Sequence, residues 1–119
     1  MHKSIIVAIS AFKSDQAVVD LLAAIFNDPH DSVLRVIVVD SLGSGEIESV
    51  CSSKSWPVTY YNFDTNLGSA GNLGKRIQIS GELGAEWCLC LNHDANWDSD
   101  RLSAMIETSN SQGAIGAVY

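Results

Sequence analysis

The chain has 119 residues, enough for one domain with its own core. A hydrophobic share of 46% with 18% charged residues is a globular composition and excludes an intrinsically disordered segment. The formal charge of −7 argues against a nucleic-acid binder, which needs a basic face, and leaves only seven Lys and Arg to meet any anionic ligand.

Ser4-Ile5-Ile6-Val7-Ala8-Ile9 is an unbroken apolar run rich in β-branched residues, the pattern of a strand buried on both faces. Ile5 to Ile9 is too short to span a membrane, and Met1-His2-Lys3 leads into it without the longer apolar region of a secretory leader, so a cytoplasmic protein is expected. A helix is predicted from about Ser14 to Phe26. Ser14 or Asp15 can cap it, Val18, Leu21, Leu22 and Ile25 fall at helical spacing, and Asn27-Asp28-Pro29 ends it. Val33 to Asp40 is a second buried strand, broken only by Arg35 near its start. Ser41 to Gly45 reads as a turn, Glu46 to Ser52 as a short helix, and Val58 to Phe63 as a third strand. A glycine-rich turn opens a helix that runs to about Leu83, and Glu86 to Leu91 is the fourth strand. The last helix spans about Ser99 to Asn110, with Asp98 or Ser99 as cap and Leu102, Met105 and Ile106 as its apolar stripe. Ala114 to Tyr119 resembles the start of a fifth strand, so the chain reads as cut short after it.

Apolar strands alternating with helices predict an α/β fold with a mostly parallel sheet and flanking helices, a single domain over residues 1–119. Ligands of such sheets sit outside the carboxyl ends of the strands. Ser10, Asp40, Asp64 to Asn66 and Asn92 to Asp94 are the polar residues at those ends, and they are expected to converge along one edge.

Three groups there carry chemistry. The turn Asn66-Leu67-Gly68-Ser69-Ala70-Gly71-Asn72 at a helix N-terminus suits phosphate, although it fits neither the dinucleotide fingerprint nor a Walker A loop, and glycine-based turn geometry also explains it. Asp40 can accept a hydrogen bond from a base N–H or a ribose hydroxyl, or simply cap a turn. Asn92 and Asp94 offer hard oxygens suited to Mg2+ or Mn2+, and the same segment also reads as a polar turn before a helix cap. His93 is expected to be a turn residue and Trp87 a core residue, while Trp97 is open between core and stacking on a base or sugar. Cys51, Cys88 and Cys90 match no zinc spacing. Cys88 and Cys90 share one strand face as buried small hydrophobes, with a redox pair as the minor alternative.

These elements in this order resemble the family 2 glycosyltransferases of the Rossmann-like GT-A nucleotide-diphospho-sugar transferase fold, in the rhamnosyltransferase-like branch. Ser4 to Ser10 is similar to the family's opening strand and Val36 to Asp40 to its second. Asn66 to Asn72 is similar to its Asn-x-Gly-x-Ala-Gly turn, and Gly84 to Asp94 to the strand leading to its Asp-x-Asp position, in a variant that begins with Asn. The turn after Asp40 departs from the family's usual Asp or Asn followed by Gly-Ser.

The resemblance implies a donor nucleotide-sugar-binding part. Ser10, Asp40, Asn66, Gly68, Gly71 and Asn72 would bind the nucleotide, and Asn92 and Asp94 would hold a divalent metal, Mn2+ or Mg2+, on the diphosphate. The sugar would pass to an acceptor hydroxyl, in polysaccharide or glycan synthesis. No catalytic residue is assigned in this chain, because the family's acceptor half and general base lie after the fifth strand. The partner is a nucleoside-diphosphate sugar, with no nucleic acid and no transmembrane segment; peripheral membrane association would need parts outside the chain. The rival expectation is a non-catalytic α/β interaction module or an inactive truncated fragment.

Overall fold

The computed structural model describes residues 5–112, which form four strands and four helices in strict alternation. These are β1 (Ile5–Ala11), α1 (Asp15–Asn27), β2 (Val33–Ser41), α2 (Glu46–Lys54), β3 (Val58–Phe63), α3 (Gly68–Glu82), β4 (Trp87–Leu91) and α4 (Ser99–Gln112). The strands make one parallel sheet in the order β3-β2-β1-β4. The predicted elements are present with ends shifted by a residue or two, as fraying ends commonly are. The predicted fifth strand, Ala114 to Tyr119, lies outside the described residues.

Alternation along the strands assigns side chains to two layers. Ile5, Val7, Ile9 and Ala11 of β1 join Val36 and Val38 of β2 under Val18, Leu21, Leu22 and Ile25 of α1, Ile47 of α2 and Leu102 of α4. The opposite face shows Ile6, Ala8, Ile37 and Val39 to Leu67, Ile79 and Leu83 of the α3 segment. Helices on both faces explain why Ile5 to Ile9 of β1 and Val36 to Val39 of β2 are apolar without alternation. Leu22 and Val18 are fully buried, each contributing about 1.5–3 kcal/mol by burial.

Two expectations about local chemistry are corrected. Ser14 occupies the N-cap of α1, but its hydroxyl makes no cap bond and accepts instead from the Phe12 N–H at 3.2 Å. Trp87 is 37% exposed rather than a core residue, because β4 is an edge strand among the described elements and only its later residues turn fully inward.

α3 inverts the usual pattern of a surface helix. Its buried residues are Asn72, Arg76 and Ser80, one turn apart each, while Ile77 is exposed. The Asn72 side-chain amide donates to the Val39 carbonyl at 3.0 Å, and its oxygen accepts from Arg76 Nε at 2.8 Å. A polar strut thus joins α3 to the centre of the sheet.

Candidate functional site

Register brings the strand ends level. Ala11 pairs with Asp40, Asp40 with Asn62, and Ile9 with Leu91, so Asp40, the residues after Phe63 and the segment from Asn92 all lie along the carboxyl edge. With strands about 4.8 Å apart, β2 and β4 stand about 10 Å from one another. The expected convergence of Ser10, Asp40, Asp64 to Asn66 and Asn92 to Asp94 on one edge is what the topology produces.

Asp40 is 1% exposed. Tyr60 on the neighbouring strand donates its hydroxyl to Asp40 Oδ2 at 2.5 Å, a charge-assisted bond across the β2–β3 pair. Asp40 Oδ1 is buried with no partner. Burial pushes the Asp40 carboxyl above its usual range, opposed by the Tyr60 hydroxyl and reinforced by the charge of Asp15. The Tyr60 hydroxyl is pushed well up in turn, chiefly by burial and then by its bond to Asp40. A buried acceptor without a donor is costly, and such sites are where ligands supply the missing group.

The turn Ser41 to Gly45 lies over the Oδ2 side of this pair. Leu42 adopts a left-handed conformation (φ 57°), and its N–H donates to the Phe63 carbonyl at 2.8 Å. Asn62 then clamps Gly43 twice: its side-chain oxygen accepts from the Gly43 N–H at 2.9 Å and its amide donates to the Gly43 carbonyl at 3.0 Å. Gly43 lies so close over the pair that an added Cβ would fall 2.6 Å from Asp40 Cγ and nearer still to Asp40 Oδ2 and the Tyr60 hydroxyl. Ser44 ties the turn to α1 by donating to Asp15 Oδ2 at 3.2 Å.

The glycine turn behaves as a helix entry. Asn66 Oδ1 accepts from the Gly68 N–H at 3.0 Å, Gly68 takes φ 69°, and the Leu67 N–H reaches Ser41 Oγ at 3.4 Å. No side chain caps α3, and Ser69, Ala70 and Gly71 of its first turn are exposed at the carboxyl edge, with the positive end of the helix dipole. Asn72 was expected to border a nucleotide. It is instead buried, with both side-chain ends engaged in the strut under α3. Ser10 is half-buried at the end of β1.

Asn92, His93 and Asp94 are exposed on a tight turn closed by the Ala95 N–H donating to the Asn92 carbonyl at 3.0 Å. The carboxylate of Asp94 and the amide oxygen of Asn92 are hard oxygens on one short turn, of the kind that Mn2+ or Mg2+ takes. They form no closed cage, since no cluster of three His, Cys, Asp or Glu able to hold a metal occurs among the described residues. Trp97 packs its ring on the core, partly buried, and its indole N–H donates to the Asp28 carbonyl at 2.7 Å. Asp98 caps α4 as expected, its Oδ1 accepting from the Asp100 N–H at 2.9 Å and the Arg101 N–H at 3.4 Å, and Asp28 ties down the same helix start by accepting from the Ser99 N–H at 3.0 Å and the Ser99 hydroxyl at 3.1 Å. Sequence reading missed Tyr60, Asn62 and Asp28. The position of Tyr60 and Asn62 at the end of a strand beside β2 was the available signal for the first two; Asp28, 71 positions from Ser99, gave none.

An open parallel sheet covered on both faces, with a carboxylate turn and a free helix N-terminus on its carboxyl edge, is a Rossmann-like nucleotide-binding arrangement. The same fold, of the GT-A kind, recurs in a mannosyltransferase from Pyrobaculum calidifontis solved in complex with GDP-Man and Mn2+ (TM-score 0.73, 20% identity, 92% of this chain and 33% of that one). It recurs in a 4-diphosphocytidyl-2C-methyl-D-erythritol synthase (TM-score 0.70, 17% identity, 92% and 56%) and in TarS from S. aureus (TM-score 0.68, 16% identity, 91% and 20%). The chain thus spans between a fifth and just over half of these structures, and at such identities the likeness concerns the fold alone. The sequence itself decides the family: residues 6–119 match glycosyl transferase family 2, and the chain belongs to it. No curated protein sequence matches it. No helix among the described residues is long and apolar enough to cross a membrane.

Proposed function

We propose that this chain is the donor-binding part of a glycosyltransferase that moves a sugar from a nucleoside-diphosphate sugar to an acceptor hydroxyl in polysaccharide or glycan synthesis. Family membership over residues 6–119 carries the proposal, and the level carboxyl edge with Asp40, the α3 N-terminus and Asp94 supports it. The roughly 10 Å between β2 and β4 suits a nucleoside at one end and a diphosphate at the other.

Each residue then has a task. Asp94, with weaker help from Asn92, would hold Mn2+ or Mg2+, which stabilises charge on the departing diphosphate. The N–H groups of Ser69 to Gly71 in the first turn of α3 face the phosphates, with Gly68 at the bend that leads into them and Asn66 fixing that bend by accepting from the Gly68 N–H. Ser10 lines the floor between the two ends. Asp40 offers Oδ1 to a base N–H or ribose hydroxyl.

Calorimetric titration with UDP, dTDP and GDP, each with Mn2+ and with EDTA, tests the proposal. Metal-dependent binding of one nucleotide is expected. A folded chain that binds none under either condition refutes donor binding and returns the rival, a non-catalytic α/β module.

A further inference from the structure

The layer between α3 and β4 holds a group of reactive side chains for which the donor site has no use. Cys88 and Cys90 stand on one face of β4 with their sulfurs 3.4 Å apart. Ser80 Oγ lies 3.2 Å from Cys88 Sγ. Beside them Arg76, 3% exposed, gives its Nε to Asn72 while Nη1 is buried without a partner. Burial pulls the Arg76 guanidinium below its usual range, since a buried cation is costly without a counter-charge.

We propose that Cys88 and Cys90 are a redox-active dithiol, closed to a disulfide within β4 by a hydroperoxide and reopened by small thiols. The exposures assign the order. Cys88 is half-buried and meets the oxidant, whereas Cys90 is 5% exposed and meets only Cys88. Cys88 Sγ accepts from the Ser80 hydroxyl at 3.2 Å, a bond that favours its thiolate. Its thiolate attacks the terminal oxygen of the hydroperoxide; the S–O bond forms, the O–O bond breaks, and the departing alkoxide takes up the proton the thiol released. Cys90 sulfur then attacks Cys88 sulfur, forming the S–S bond while the S–O bond breaks, and the hydroxide leaves as water with the Cys90 proton. Two thiols and a hydroperoxide thus give a disulfide, an alcohol and water.

The geometry permits closure at the cost of a bend. The sulfurs must approach from 3.4 Å to about 2.0 Å. Same-face neighbours on a strand stand about 6.7 Å apart at Cα, the upper end of what a disulfide bridges. β4 pairs only with β1 among the described elements, so it can bend toward its free side. Cys51 is the internal contrast, a buried cysteine whose thiol is pushed up by burial.

The test treats the whole chain with hydrogen peroxide, blocks free thiols with iodoacetamide and maps tryptic fragments by mass. Cys88 and Cys90 share the fragment from Ile77 to Arg101, and Cys51 falls in the one from Val36 to Lys54. The expected product is an unalkylated 77–101 fragment lighter by two hydrogens, which dithiothreitol converts back to one carrying two alkyl groups. Cys90→Ser is expected to abolish the lighter fragment and leave added oxygen on Cys88, while Cys51→Ser leaves it unchanged. The proposal is overturned if wild-type Cys88 and Cys90 stay fully alkylatable at doses that oxidise Cys51. It is equally overturned if they only accumulate oxygen, or if the lighter fragment survives in Cys90→Ser. The wild-type mapping is decisive even where a variant fails to fold.

Discussion

Gly43→Ala isolates the turn over Asp40. The added methyl would sit 2.6 Å from Asp40 Cγ and closer to Asp40 Oδ2 and the Tyr60 hydroxyl, below any distance a real Cβ tolerates. Neither neighbour is the loose end of a long chain. Asp40 is short and 1% exposed, and Tyr60 packs its ring against the core. Either the Asp40–Tyr60 bond breaks or the turn lifts off its Asn62 clamp. Loss of a charge-assisted bond costs about 1.5–3 kcal/mol and a forced rotamer about 1 kcal/mol more, giving roughly 2–4 kcal/mol. For a domain of this size that lowers Tm by roughly 10 °C. The discriminating measurement is a cycle with Tyr60→Phe, using urea melts of all four proteins. Phenylalanine removes the hydroxyl obstacle and the bond together and frees the Asp40 carboxyl to turn away, so Gly43→Ala should cost at least about 1 kcal/mol less in that background. Additive costs, or a Gly43→Ala loss under about 0.5 kcal/mol, would refute the packing described for this turn.

Three further outcomes are expected. A carboxyl whose folded-state value lies above the ordinary 3.8 favours folding in acid and loses that contribution as pH rises through the folded value; Asp40→Asn, neutral and still able to accept from Tyr60, should therefore gain on wild type as pH climbs from about 3.8. Paired thermal melts between pH 3.5 and 7 check this, and a difference that shrinks with pH contradicts it. Asn72→Ala strips the Val39 carbonyl and Arg76 Nε of their partners at once and should cost about 2–4 kcal/mol in urea melts, whereas a loss below about 1 kcal/mol would mean α3 is held by its apolar contacts alone. Asp94→Ala should abolish the Mn2+-dependent part of nucleotide binding, with Asn92→Ala losing less; equal calorimetric affinity in wild type and Asp94→Ala would remove the metal from this turn.

The fold was legible because its signal is redundant. β1 and the apolar stretch of β2 announce a doubly covered sheet, and the stripe Val18, Leu21, Leu22, Ile25 can only be a helix laid on it. α3 was legible only in outline, since its inward stripe is polar. Periodicity finds which residues share a face but not that Asn72, Arg76 and Ser80 are the buried ones; that is decided by the Val39 carbonyl and two thiols on another strand. The structural task of Asn72 was hidden for the same reason, a polar residue beside a glycine turn showing no sign in sequence of the Val39 carbonyl it reaches. Asp40 could be placed at the edge from its strand, but its cover could not, because the clamp depends on Asn62, 19 positions away, meeting Gly43 across the β2–β3 pair.

The double hold of Asp28 on Trp97 and Ser99 has a consequence for the segment between β4 and α4. Residues 92–98 leave the sheet after Leu91 and are anchored again at their far end, so the loop carrying Asn92 and Asp94 is closed before any ligand arrives. Closing a short loop costs entropy that grows with the logarithm of its length, and here folding bears it through an anchor on the far side of α1. A ligand bound there, as proposed, would order a few side chains rather than a whole strap, so its affinity would depend on a residue that never touches it.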